Sequence, residues 1–101
     1  MKPVTVEEEA ERELAGSVDF YEHRRSGLGL DFVQAAHDAV RMIQADPERH
    51  PLQKDGTRCY FMDRFPFIIR YIDLSDRIWI VAFAHTSRKP GYWKPRLQFK
   101  P

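Results

Sequence analysis

The stretch from Ile78 to His85 reads Ile-Trp-Ile-Val-Ala-Phe-Ala-His, apolar at every position but the last. Eight such residues, β-branched and aromatic in character, predict a strand over about 77–85. Strict alternation puts Trp79, Val81, Phe83 and His85 on one face and Ile78, Ile80, Ala82 and Ala84 on the other. Both faces are apolar, so both need cover. Two similar runs precede it, at about 57–62 and 65–73. Asp63-Arg64 and Leu74-Ser75-Asp76 are short enough for hairpin turns, so the three strands form an antiparallel meander. Pro66 is tolerated because it stands at a strand's beginning.

The first half has the other periodicity. Ala10, Leu14, Val18 and Tyr21 recur at helical spacing and predict a helix over about 7–25, with Thr5 and Glu8 spaced as a capping box. Ser26-Gly27-Leu28-Gly29 ends it. Val33, Ala36, Val40 and Ile43 predict a second helix over about 31–45, stopped by Asp46-Pro47. So short a connection makes the pair an antiparallel hairpin. Pro3-Val4-Thr5-Val6 is a candidate edge strand, 46–56 a polar loop, and the chain after 86 irregular. The fold class is α+β, in the order β-α-α-β-β-β. The two-helix antiparallel hairpin lies on one face of a small twisted antiparallel sheet, in a single domain over residues 1–101. Two helices cover one sheet face only. The other falls to the tail, through Tyr92, Trp93, Leu97 and Phe99, or to a partner chain, with Trp79, Phe83 and Trp93 as the expected partner contacts. Uncovered, that face makes the isolated chain self-associate.

Composition excludes several classes. With 43% hydrophobic and 31% charged residues the chain is globular rather than disordered. No run reaches the roughly 18 apolar residues of a membrane helix, so no membrane association is expected. The acidic start, Glu7 to Glu13, is unlike a signal peptide. One cysteine, Cys59, rules out an internal disulfide and a multi-cysteine zinc site, and reads as a small core residue. A reducing cytoplasm is the expected compartment. Charge divides by position: residues 1–56 hold 7 Lys/Arg against 12 Asp/Glu, and 57–101 hold 9 against 3. Either the second half builds a cationic surface for an anionic partner, or the two halves compensate each other.

The polar residues with chemical potential lie in the second half: Arg58, Arg64, Arg70, His85, Arg88, Tyr92 and Arg96. RNA cleavage needs a base for the 2′-hydroxyl, an acid for the leaving oxygen, and cations for the charge growing on phosphorus. His85 titrates near neutrality and suits either proton role. Tyr92 is a second proton carrier only if nearby cations lower its ordinary value of about 10. Arg58 and Arg88 suit a bidentate phosphate clamp. Against these stand a strand-end histidine bonded to backbone and a tail held by stacking and ion pairs. His23, His37 and His50 lack a second ligand at useful spacing, so no metal and no other cofactor is assigned. No phosphate-binding glycine loop or nucleophile elbow is present.

Phe20-Tyr21-Glu22 precedes Gly27-Leu28-Gly29 and Phe32, and Asp46-Pro47 follows. Then come Arg58, Arg64-Phe65-Pro66-Phe67-Ile68-Ile69-Arg70-Tyr71, Ala82-Phe83-Ala84-His85 with Arg88, and Gly91-Tyr92-Trp93 with Arg96. In that order, over about residues 5–96, these pieces resemble the RelE/ParE superfamily of bacterial toxins, in the branch described as plasmid-stabilisation proteins. The resemblance implies helices packed on a twisted antiparallel sheet. It implies a cognate antitoxin whose acidic, apolar segment wraps the toxin. It also implies one of two targets: RelE-like members cleave ribosome-bound mRNA as metal-free endoribonucleases, and ParE-like members bind DNA gyrase and block replication. A third possibility is a non-toxic relative that only binds. The long hairpin is similar to the ParE side, whereas His85, Arg88 and Tyr92, with Arg58, stand where the ribonucleases keep catalytic groups. Arg64, Arg70, Lys94 and Arg96 are the expected target-binding cations. The chain departs from the RelE pattern in its lysines, Lys54 being the one lysine between residues 3 and 88.

Overall fold

The computed structural model describes all 101 residues. It comprises β1 (Val4–Val6), α1 (Glu8–Arg24), α2 (Leu28–Ala45), β2 (Arg58–Phe61), β3 (Phe67–Asp73), β4 (Ile78–His85) and a 3₁₀ helix (Lys94–Phe99). The strands lie in the order β1-β4-β3-β2. β2, β3 and β4 form the expected antiparallel meander. β1 joins its β4 edge in parallel, Val4 opposite Ile78 and Val6 opposite Ile80, so the sheet is mixed rather than wholly antiparallel. Both α-helices pack on one face, where Phe32, Ala36 and Ile43 meet Ile69, Tyr71, Ile78 and Ile80 in one core. Burying each of the larger apolar side chains is worth roughly 1.5–3 kcal/mol.

The helix ends differ from the expectation. Thr5 is paired in β1 opposite Trp79 and is not free to cap. The chain stays extended through Glu7, whose N–H donates to the Ile80 carbonyl. Its carboxylate then accepts from the N–H groups of Glu9 and Ala10, at 2.8 and 3.3 Å. α2 begins three residues early, at Leu28. Gly27, at φ 90°, turns the chain, and the Glu22 carboxylate accepts from the N–H groups of Gly27 and Gly29 at the new helix's positive end. Gly29 is pressed against α1: a Cβ there would lie 2.8 Å from the Val18 carbonyl oxygen.

β4 breaks the alternation read from its sequence. Arg70 faces Ala82 but Tyr71 faces Ile80, so Val81 is an extra residue, a β-bulge. Its effect is a reversal of phase. Ile78, Ile80 and Phe83 belong to the helix-side core, while Trp79, Val81, Ala82 and Ala84 belong to a second cluster on the opposite face. Trp79 and Phe83 therefore do not share a face, and His85 moves to the helix side, its ring 5.2 Å from that of Phe67.

The second face is covered by the chain's own tail. Trp93 packs on Trp79, Val81, Ala82 and Ala84, with Tyr92 and Leu97 beside it. Trp79, Phe83 and Trp93 are each more than nine-tenths buried within this one chain, so they present no surface to a partner. The ground for self-association through that face is removed with them. Cys59 is buried as expected, and burial raises its thiol pKa. No helix is long and apolar enough to cross a membrane.

Candidate functional site

Beyond Ile80 no strand covers the open edge of β4, because β1 has ended. Two side chains take its place. Arg96 donates to the Val81 carbonyl at 3.0 Å, and Glu13 accepts from the Phe83 N–H at 3.2 Å. These two also pair with each other, through Nη1–Oε1 at 2.8 Å and Nη2–Oε2 at 3.1 Å. The Tyr92 hydroxyl donates to the same Glu13 carboxylate at 2.5 Å, and Arg88 stands 3.8 Å from it. Glu9 and Glu7 complete the shell around Arg96 at 3.4 and 4.0 Å. Helix α1, the bulged strand and the 3₁₀ tail are thus fastened at one largely buried carboxylate, its side chain 13% exposed.

This arrangement fixes the roles of several expected site residues. Burial, and then the bond to Glu13, raise the Tyr92 phenol well above the ordinary tyrosine range, so it is a proton donor to Glu13 rather than a base. Burial lowers the pKa of Arg96, but Glu13 outweighs it and the group remains cationic. Arg96 is buried and committed, and it offers nothing to a target. Arg58 is at the other end of the hairpin. It faces Tyr71, four residues along β3 from the Phe67 that faces His85, which is roughly 13 Å of strand. Its guanidinium donates to the carbonyls of Glu48 and His50 at 3.0 and 2.8 Å, fastening the 46–51 loop. The Tyr71 hydroxyl holds the same loop through the Pro47 carbonyl, and burial pushes its pKa up to about 12.

Arg70 serves the second face. Its guanidinium stacks 3.7 Å from the Trp93 ring centre and donates to the Thr57 hydroxyl. The Trp93 indole donates to Asp55, which also accepts from the N–H and hydroxyl of Thr57. Burial alone would raise the Asp55 pKa, but these bonds and the charge of Arg70 bring it below the usual range. Arg64 lies exposed at the β2–β3 turn, 3.4 Å from Asp31, and Lys94 is exposed on the 3₁₀ helix. Of the expected target-binding cations, only these two are open to solvent.

His85 and Arg88 do come together. Both line a groove of about 330 Å³ between α1 and the end of β4. His85 Nδ1 accepts from the Ser87 N–H at 3.0 Å, with the Ser87 hydroxyl 2.7 Å away, which leaves Nε2 as the proton-bearing nitrogen of the neutral ring. Arg88 is about half exposed and lies over the Tyr92 ring at 3.9 Å. The α1 wall supplies Arg12, Gly16, Ser17 and the exposed Phe20, and the almost fully buried rings of Phe67 and Phe83 lie beneath. The groove can hold an anion beside an imidazole; Tyr92 lies close by, lining a smaller cleft with His85 and Arg88, but its hydroxyl is committed to Glu13, and Arg58 stands apart and does not join as a clamp. Glu13 escaped the sequence reading. Its one signal is position, next to Leu14 and three residues after Ala10 on the flank of α1's apolar stripe.

No family model matches the sequence, and no curated protein matches it. Among solved structures the chain is similar to one from the chromosomal ParDE TA system of P. aeruginosa. The TM-score is 0.63 at 18% identity, and the match covers 84% of this chain and 96% of that one. Two helices on a four-stranded mixed sheet, ordered β-α-α-β-β-β, are thus the fold of a ParDE toxin–antitoxin chain.

Proposed function

We propose that this protein is the toxin of a type II toxin–antitoxin pair, and that it arrests growth as a ParE-like inhibitor of DNA gyrase, without breaking bonds in a substrate. The observation that carries this reading is the commitment of Tyr92 and Arg58 within the fold. Tyr92 keeps its proton and donates it in a hydrogen bond to Glu13, and Arg58 is committed to loop carbonyls at the far end of the hairpin. RNA cleavage at His85 would thereby lack a second proton carrier and half of its phosphate clamp. The likeness to a ParDE chain supports the same side of the choice. The cognate partner is an antitoxin with an acidic, apolar segment, and the pair acts in the cytoplasm.

The experiment is induced expression followed by pulse labelling. Thymidine incorporation is expected to fall before amino-acid incorporation, and His85→Ala is expected to leave that arrest intact. The second reading, an mRNA endoribonuclease, draws on His85 and Arg88 sharing one groove. It replaces the first if amino-acid incorporation falls first and His85→Ala abolishes the effect in a folded protein. Normal growth at full expression would refute both and leave a binding-only relative.

A further inference from the structure

On the face of the sheet that the tail covers, a cleft of about 380 Å³ opens between the turn at residues 53–55 and the tail at 90–94, with Arg70 of β3 in its lining. The turn is firmly closed. The Gly56 N–H donates to the Gln53 carbonyl at 3.0 Å, and the Gln53 N–H donates to the Thr57 carbonyl at 2.7 Å, so Lys54 and Asp55 stand at its tip. The Trp93 indole, donating to Asp55, ties the tail to that tip. Among the lining residues Lys54, Arg70 and Lys94 are cationic, and Asp55 alone is anionic.

None of these three cations stands in an ion pair, whereas Lys2, Arg64 and Arg96 each meet a carboxylate. Asp55 is already engaged: Oδ1 accepts from the N–H and hydroxyl of Thr57, and Oδ2 accepts from Trp93. Arg70 is held in place without being satisfied. It stacks 3.7 Å from the Trp93 ring centre and donates through Nη1 to the Thr57 hydroxyl at 3.3 Å, while Nε is buried with no hydrogen-bond partner. A guanidinium carries five donors, and leaving most of them without acceptors in a half-buried place is costly. Lys94 lies along Gly91, where a Cβ would stand 3.4 Å from its Cε, so the bare glycine makes room for the lysine stem beside the cleft.

We propose that this cleft binds the phosphate group of a small phosphate monoester, with Arg70 as its fixed donor and the Lys54 and Lys94 ammonium groups closing on it from the turn and the tail. A phosphate monoester carries nearly two negative charges at neutral pH, which matches three cations set against one carboxylate. The guanidinium supplies directed bonds from an orientation that Trp93 has already fixed, and the lysines supply adaptable point charges. The volume lies within the roughly 300–1,000 Å³ of small-molecule sites, more than a bare phosphate fills, and the Gln53 amide offers a donor and an acceptor to the organic remainder. The inference does not depend on the toxin reading. The smaller cleft that holds His85, Arg88 and Tyr92 shares Arg70, Pro90 and Trp93 with this one, so the test separates the two.

The full chain is titrated near neutral pH with glycerol 3-phosphate and, separately, with inorganic phosphate, the ionic strength being held constant with sodium chloride. Calorimetry and tryptophan fluorescence read the binding. Glycerol 3-phosphate is expected to saturate one site, and inorganic phosphate to bind it at least fivefold more weakly. The melting temperature rises with ester concentration, because only the folded chain brings turn and tail together. Lys54→Ala combined with Lys94→Ala removes two exposed side chains that make no hydrogen bond or ion pair, so the unliganded melting temperature stays within a few degrees of the parent's. That variant binds the ester at least tenfold more weakly, whereas Arg88→Ala, in the neighbouring cleft, binds it within twofold of the parent. No saturable binding, parental affinity in the double lysine variant, or loss of binding in Arg88→Ala overturns the site. Inorganic phosphate bound as tightly as the ester overturns the monoester and assigns the cleft to the free anion.

Discussion

Glu13→Ala removes one carboxylate and strands three donors at once. Arg96 has a side chain only 8% exposed, and Glu13 itself is 13% exposed. Breaking a buried, hydrogen-bonded ion pair from one side costs about 3–5 kcal/mol, because the remaining charge is left without its counterion. Glu9 at 3.4 Å and Glu7 at 4.0 Å still face Arg96, which places the expected loss near the lower end, about 3 kcal/mol. With an unfolding entropy of about 2.1 cal/mol/K per residue, a chain of this length loses roughly 14 °C in melting temperature. Urea unfolding measures the free energy, and tryptophan fluorescence reports the place: the Trp93 emission shifts red as the tail loosens. Arg96→Met in the Glu13→Ala background removes the stranded charge. The cycle therefore returns a coupling energy of about 2 kcal/mol. A loss under about 1 kcal/mol for Glu13→Ala, or no coupling with Arg96, would refute the view that this carboxylate fastens the tail to the sheet.

Two glycines in helices give opposite signs. Gly29→Ala drives a Cβ to 2.8 Å from the Val18 carbonyl oxygen and 3.0 Å from Glu22 Cβ, so α1 and α2 must part, at a net cost of about 1–3 kcal/mol. Gly16→Ala meets open space and gains about 0.5–1 kcal/mol, both changes being read by urea unfolding. Tyr71, with its pKa raised by burial to about 12, contributes stability that is complete below its unfolded value near 10 and is lost as pH rises through 12. Wild type therefore loses about 2–3 kcal/mol more than Tyr71→Phe between pH 9.5 and 12, measured by urea midpoints. The His50 pKa is lowered, chiefly by burial and by Arg49, against the pull of Asp46. Its contribution is present above pH 6.5 or so and fades as pH falls through the depressed folded value, so His50→Gln should flatten the acid limb of the stability curve below pH 6.5.

The meander was legible because its signals are local. Two short turns and three β-rich runs fix the antiparallel pairing whatever else the chain does, and the periodicities of 10–21 and 33–43 fix the two helices. The β-bulge was not legible. Seven consecutive apolar residues satisfy either phase equally well, and what selects the phase is size. Ile78, Ile80 and Phe83 fill the helix-side core, while Ala82 and Ala84 leave room for the Trp93 indole. That preference exists only once the tail has folded back, so no window of β4 alone contains it. The helix boundaries escaped for a similar reason: Glu7 and Glu22 act as caps through contacts that β1 and the α1–α2 turn create.

The division of charge along the chain was visible in the sequence, but its meaning depended on pairing in space. Arg96, from the basic half, is buried among Glu7, Glu9 and Glu13 of the acidic half. Lys2 meets Asp73, and Arg64 faces Asp31. Much of the segregation is therefore spent on joining the first half to the second. This bears directly on the groove, because a site's field is set by the charges left over rather than by those present. Were Glu13 free, it would cancel Arg88 at 3.8 Å, and the groove would have no preference in sign. With Arg96 and Tyr92 holding Glu13, the guanidinium of Arg88 is released toward solvent beside His85. The bulge at Val81 contributes to the same result, since a strand in unbroken alternation would carry His85 to the face that the tail covers. The contact that fastens the tail thus also sets the electrostatic character of the groove. On this argument, charge reversal at Arg88 alters what the groove binds, while changes at Arg96 alter first whether the tail stays in place.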